Sequence, residues 1–94
     1  MMKLKVIKLE KTCFVCPAQW VGQLEDGRMI YIRYRFGWLS IRVSIAATSD
    51  VAEAIRGEEI MGKQCGGQLD STMRFSDLFN LSRDLINYGE IKAD

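Results

Sequence analysis

Residues 19–45, QWVGQLEDGRMIYIRYRFGWLSIRVSI, alternate apolar and polar side chains across two turn signals, a pattern that points to an antiparallel β-meander. Side chains of a strand project alternately to its two faces, so a one-residue slip turns every side chain of that strand over. Register therefore follows from which residues must share a face. At Glu25-Asp26-Gly27, a two-residue Asp26-Gly27 turn would set Trp20 opposite Arg33 and Val21 opposite Ile32. A three-residue loop, with Gly27 left-handed in a G1 bulge, sets Leu24 opposite Arg28, Gly22 opposite Ile30 and Trp20 opposite Ile32. Only the second loop gathers Trp20, Leu24, Ile30 and Ile32 on one side.

Gly37-Trp38 is a Gly-X pair suited to a type II′ turn, which predicts Phe36 opposite Leu39, Tyr34 opposite Ile41, Ile32 opposite Val43 and Ile30 opposite Ile45. The two turns, assigned separately, bury the same face, and agreement between independent local signals supports both. Trp20, Tyr34 and Phe36 are then core residues, while Trp38 at the turn either covers the hairpin end or anchors a partner.

The opposite face carries Gln19, Val21, Gln23, Met29, Tyr31, Arg33, Arg35, Ser40, Arg42 and Ser44. This register sets Arg33 directly opposite Arg42. Like charges facing across a ladder destabilise it, so an anionic group is expected nearby. Glu53, Glu58, Glu59 or the C-terminal carboxylates would supply it within the chain, and an acidic partner would supply it from outside. Single-stranded nucleic acid is an alternative, since guanidinium and aromatic groups suit phosphate contact and base stacking. Against it, Tyr31 is the only aromatic this register sets on the face. The predicted binding residues are Tyr31, Arg33, Arg35, Arg42 and Trp38.

Outside the meander the signals are shorter. Lys3 to Leu9 reads as a strand whose parity Ile7 breaks, as a bulge would. Lys11 to Pro17 is a second apolar stretch, and Pro17, which cannot donate to a ladder, marks a strand end or edge. Ser49 and Asp50 cap a helix running to about Arg56. The stretch EEIMGKQCGGQLD at 58–70 is rich in glycine, and its second half reads as loop. A C-terminal helix is predicted from Ser76 as N-cap, a stripe of Leu78, Phe79, Leu85 and Ile86, and Gly89 as the residue after its end. The expected fold is α+β: one domain over residues 1–94, an antiparallel sheet of about four strands, and one or two helices packed on one face.

Charge and composition narrow the function classes. The chain has 94 residues, 48% of them hydrophobic, which suffices for one core. Its net charge is +1, so no global field argues for nucleic acid or membrane. Within it, residues 1–47 hold eight basic and three acidic side chains and residues 48–94 hold five and nine, giving +5 and −4. No window reaches the roughly 20 apolar residues of a membrane span. MMKLKVIKLEK lacks the features of a signal peptide. Three cysteines, an odd number, argue against a secreted disulfide framework and for a reducing cytoplasm.

Catalytic and metal patterns are sparse. With no histidine there is no Ser-His or Cys-His pair, and no enzyme is expected. Cys13-x-x-Cys16 has a zinc-ligand spacing, yet Cys65 is the only further thiol, so a four-coordinate site would need a carboxylate or a second subunit. In a strand-like run, residues three apart point to opposite faces, which separates the two thiols and favours a packing role over a thiol or zinc site. GKQCGG at 62–67 lacks the spacing of a phosphate loop. Neither metal nor cofactor is expected.

CPAQW, DGR and YIRYRFGWLSIRV, within residues 16–43, resemble a segment that recurs in small uncharacterised bacterial proteins. That group brings no activity, ligand or catalytic residue with it. The residues themselves suggest a small cytoplasmic, non-enzymatic interaction module whose arginine face meets an acidic protein or a second copy of the chain.

Overall fold

The computed structural model describes residues 3–13, 18–66 and 73–89, apart from the side chain of Cys13. The fold is α+β, with two helices and a six-stranded curled sheet among the described residues. Its strands are β1 (Leu4–Cys13), β2 (Ala18–Leu24), β3 (Met29–Arg35), β4 (Trp38–Val43), β5 (Glu58–Gln64) and β6 (Ile86–Asn87). Helix α1 (Val51–Ile55) lies between β4 and β5, and α2 (Phe75–Ser82) precedes β6. The sheet order is β5-β4-β3-β2-β1-β6. Every pairing is antiparallel except β1 with β6, so the sheet is mixed.

The β2–β3 hairpin has the predicted register. Trp20 pairs with Ile32 and Gly22 with Ile30. Gly27 takes φ 92°, Leu24 donates to the Arg28 carbonyl at 2.8 Å, and Gly27 donates to the Leu24 carbonyl at 3.0 Å. Asp26 fastens the loop by accepting from the Arg28 amide at 3.1 Å and its Nε at 2.7 Å. Those bonds, the amide first, hold the Asp26 carboxyl below its usual range.

The β3–β4 turn lies one residue earlier than predicted. Phe36 and Gly37 are its central residues, at φ 54° and 76°, the left-handed pair of a type I′ turn. Arg35 pairs with Trp38, Tyr34 with Leu39, Ile32 with Ile41 and Ile30 with Val43. Each partner differs by two residues from the expected one, and a shift of two leaves every strand side chain on its predicted face. Alternation cannot separate two such registers. Phe36 leaves the core as a result and is 54% exposed, while Trp38 joins the arginine face. Ile45, expected opposite Ile30, lies past the strand end and is 85% exposed. Ser44 closes the ladder instead: its amide donates to the Met29 carbonyl at 3.0 Å and its Oγ accepts from the Met29 amide at 3.0 Å.

The main core forms on the face predicted to be apolar. Trp20, Leu24, Ile30, Ile32, Tyr34, Leu39, Ile41 and Val43 are buried there with Leu78 of α2, Ile86 and Tyr88. Trp20 and Tyr34 thus point away from the Arg33 side. A second, smaller core occupies the other face, where Ala54 and Val51 of α1 pack against Met29, Tyr31 and Val21. The helices therefore do not share one face of the sheet. α1 begins as expected, with Asp50 as N-cap accepting from the Ala52 amide at 3.0 Å, and Arg56 is its C-cap.

Three further expectations are corrected. Residues 58–64, for which no strand is predicted and which from Gly62 on are read as loop, form β5 along β4, with a bulge between the partners of Ile41 and Arg42. The bulge interrupts alternation, and β5 is largely exposed, so no apolar periodicity marks it. The C-terminal helix starts at Phe75, with Arg74 as N-cap and no side-chain cap bond, rather than being capped by Ser76. It also stops at Ser82, so Leu85 lies in a turn and Ile86 in β6, where it pairs with Leu4. Gly89 follows that strand instead of ending the helix. In β1, the break of parity at Ile7 coincides with a shift of register between Val6 and Lys8. Cys16 and Pro17 lie outside the described residues.

Candidate functional site

On the α1 side of the sheet, β3, β4 and β5 floor an open groove of about 1140 Å³. β3 contributes Tyr31, Arg33 and Arg35, and β4 contributes Trp38, Ser40 and Arg42. All six occupy outward positions of the alternation, which is why they share a surface. Glu59 and Gln64 of β5 line the far wall, Ile55 of α1 lines one end, and Phe36 lines the hairpin end. The five predicted residues, Tyr31, Arg33, Arg35, Trp38 and Arg42, therefore come together.

Their roles within the groove differ. Tyr31 is only 9% exposed because α1 covers it, and its hydroxyl donates to Gln19 Oε1 at 3.1 Å. It serves as floor more than as a contact. Arg42 sits opposite Tyr31 and donates from Nη1 to the Gly57 carbonyl at 3.3 Å. Arg35 lays its guanidinium over the Phe36 ring, 4.6 Å from the centroid. Arg33 pairs with Ser40, and its Nε is buried with no hydrogen-bond acceptor among the described residues. The predicted Arg33–Arg42 confrontation does not occur, because the two-residue change of register sets Arg33 opposite Ser40 and Arg42 opposite Tyr31, leaving the two arginines diagonal.

Of the acids expected to neutralise the arginines, Glu59 stands opposite Arg42 across β4 and β5, yet no carboxylate among the described residues forms an ion pair with Arg33, Arg35 or Arg42. Glu53 pairs with Arg56 at 2.8 Å, and Glu59 accepts from Ser40 Oγ at 2.9 Å. The other ion pair among the described residues is Arg28–Asp26 at 2.7 Å, in the first hairpin loop. Three guanidinium groups thus line one groove with one carboxylate, Glu59. Guanidinium donors suit bidentate contact with carboxylate or phosphate oxygens.

Phe36, Ile55, Glu59 and Gln64 join this site without having been predicted there. For Phe36 a signal was present: Gly37 can close a turn with either neighbour, and the Phe-Gly choice brings the ring to the groove rim. A bulky residue in the left-handed region costs about 1–2 kcal/mol. Half-exposed as it is, the ring recovers little of that by burial.

Cys16 lies outside the described residues, as does the side chain of Cys13, and with them the thiol or zinc reading. Cys65 is a half-buried free thiol, and burial pushes its pKa up. Among the described residues no helix is long and apolar enough to cross a membrane. Comparison with protein-family models, with curated proteins and with solved structures gives no match for this chain.

Proposed function

We propose that this protein is a non-enzymatic, cytoplasmic interaction module whose β3–β4–β5 groove docks an acidic segment of a partner protein or of a second copy of the chain. One observation carries the reading: Arg33, Arg35 and Arg42 line a single groove, and none of them forms an ion pair among the described residues. A positive cleft raises the local concentration of anionic partners and orients them. The excess of acidic side chains over basic ones in residues 48–94 makes self-association chemically compatible with the same groove. No metal or cofactor enters this function.

The test is a double charge reversal, Arg33→Glu with Arg42→Glu. Binding of a fluorescent oligoglutamate peptide to the wild-type chain, followed by anisotropy, should weaken at least tenfold in the variant and fall with added salt. Equal binding by a folded variant overturns the proposal.

A second reading, single-stranded nucleic acid, gains from Phe36 and Trp38, whose rings are 54% and 45% exposed beside the arginines. It requires that a short oligothymidylate bind more tightly than the peptide, with a steep dependence on salt.

A further inference from the structure

The groove is not uniform along its length. Arg33 and Arg42 lie toward the α1 end, whereas Phe36 and Trp38 stand at the hairpin end. Counted through the register, Trp38 stands two positions from Arg33 and four from Arg42, and Phe36 three and five. The two pairs are thus on average three or four residues apart, roughly 10–13 Å at the usual rise. The hairpin end is also where the backbone is strained. The first position of a type I′ turn favours asparagine, aspartate or glycine, and here it holds a phenylalanine at φ 54°. The residue is 54% exposed and lines the groove, and the Arg35 guanidinium lies on its ring at 4.6 Å. Trp38, the next large ring on the same rim, is 45% exposed. Residues held in a sparsely populated conformation cluster where recognition takes place.

We infer that the groove selects an extended acidic segment of another protein that carries an aromatic or aliphatic side chain three or four residues from its acidic group. Phe36 is the residue that sets this preference. The inference rests on the docking function proposed above and adds the chemistry of the partner. Carboxylates of the segment meet Arg33 and Arg42 at one end. Its apolar side chain lies against Phe36 and Trp38 at the other. An aromatic contact of this kind contributes beyond buried area, and its surroundings are already ordered by the turn.

Two short synthetic peptides of equal charge provide the test. One carries phenylalanine three residues after a pair of glutamates, and the other carries alanine there. The wild-type chain should bind the phenylalanine peptide about three- to tenfold more tightly. Phe36→Asn creates an Asn-Gly turn, so its thermal midpoint should rise by a few degrees while the ratio between peptides falls below about twofold. Phe36→Tyr keeps a ring and should keep the ratio.

A wild-type ratio near one overturns the inference, as does a Phe36→Asn variant that melts lower than wild type or still prefers the phenylalanine peptide. Tighter binding of oligothymidylate than of either peptide moves the ligand to nucleic acid and also overturns it. So does a wild-type dimer that dissociates on Arg33→Glu, which makes a second copy the occupant. If neither peptide binds at low salt, the docking function itself fails. If both bind equally, only the apolar selectivity fails.

Discussion

Replacing Arg33 by methionine should make the protein more stable and less able to bind anions. The Nε of Arg33 is buried and lacks an acceptor among the described residues. A buried donor left unsatisfied costs about 1–3 kcal/mol. Methionine fills the space of the aliphatic stem with a flexible apolar chain and carries no donor. The substitution also removes one of three positive charges from the groove, a smaller gain because Arg35 is exposed and screened. Arg33 as a whole is only half-buried, which offsets some of the benefit, so the lower end of the range applies. The expected gain is about 1 kcal/mol, or about 4–8 °C in thermal midpoint for a domain of this size. Urea unfolding followed by tryptophan fluorescence measures it, with an unchanged slope showing that the native state is comparable. The same preparation should bind oligoglutamate several-fold more weakly than wild type. A variant less stable than wild type by 1 kcal/mol or more would refute the reasoning, because Arg33 would then have to make a stabilising contact.

Gly22 and Tyr88 give independent checks on the fold that supports the groove. A Cβ at Gly22 would overlap the Lys8 carbonyl oxygen and stand 2.9 Å from Leu9 Cδ1, so Gly22→Ala must push β1 outward. The expected loss is about 2–3 kcal/mol in urea unfolding, and a loss below about 0.5 kcal/mol would show that β1 does not cross β2 this closely. The Tyr88 hydroxyl is pushed up to about 12 by burial, against an ordinary value of 10.0, with the hydrogen bond to Ser82 opposing the shift. Between those values the folded chain keeps a proton that the unfolded chain loses. Stability from this group is therefore complete below pH 10 and declines toward pH 12, by about 2–3 kcal/mol in total. Tyr88→Phe should remove that decline from unfolding curves measured across pH 9–12; a parallel decline in the variant would assign it to other groups.

The face on which each meander side chain lies was legible in residues 19–45, because a period of two and a buried face leave one parity. The G1 bulge at Gly27 followed from the same logic, since the competing loop would have set Trp20 beside Arg33. The gathering of Tyr31, Arg33, Arg35 and Arg42 on one surface was legible for that reason. Which residue stands opposite which across β3 and β4 was not, because registers that differ by two present the same alternation. The tertiary structure settled it through the left-handed Phe36-Gly37 turn and the Ser44 bonds to Met29, bringing Phe36 and Trp38 to the groove. β5 and β6 were illegible for another reason. One is an exposed, bulged edge strand and the other pairs over two residues, so neither carries a periodic apolar signal. The stripe through Leu78 and Ile86 fitted a helix of full length, but Ser82 ends α2 and Ile86 pairs with Leu4 across the chain. Local pattern determined parity, caps and the main core. Contacts between residues far apart in sequence decided partners, strand count and the helix that covers Tyr31 beside the arginines.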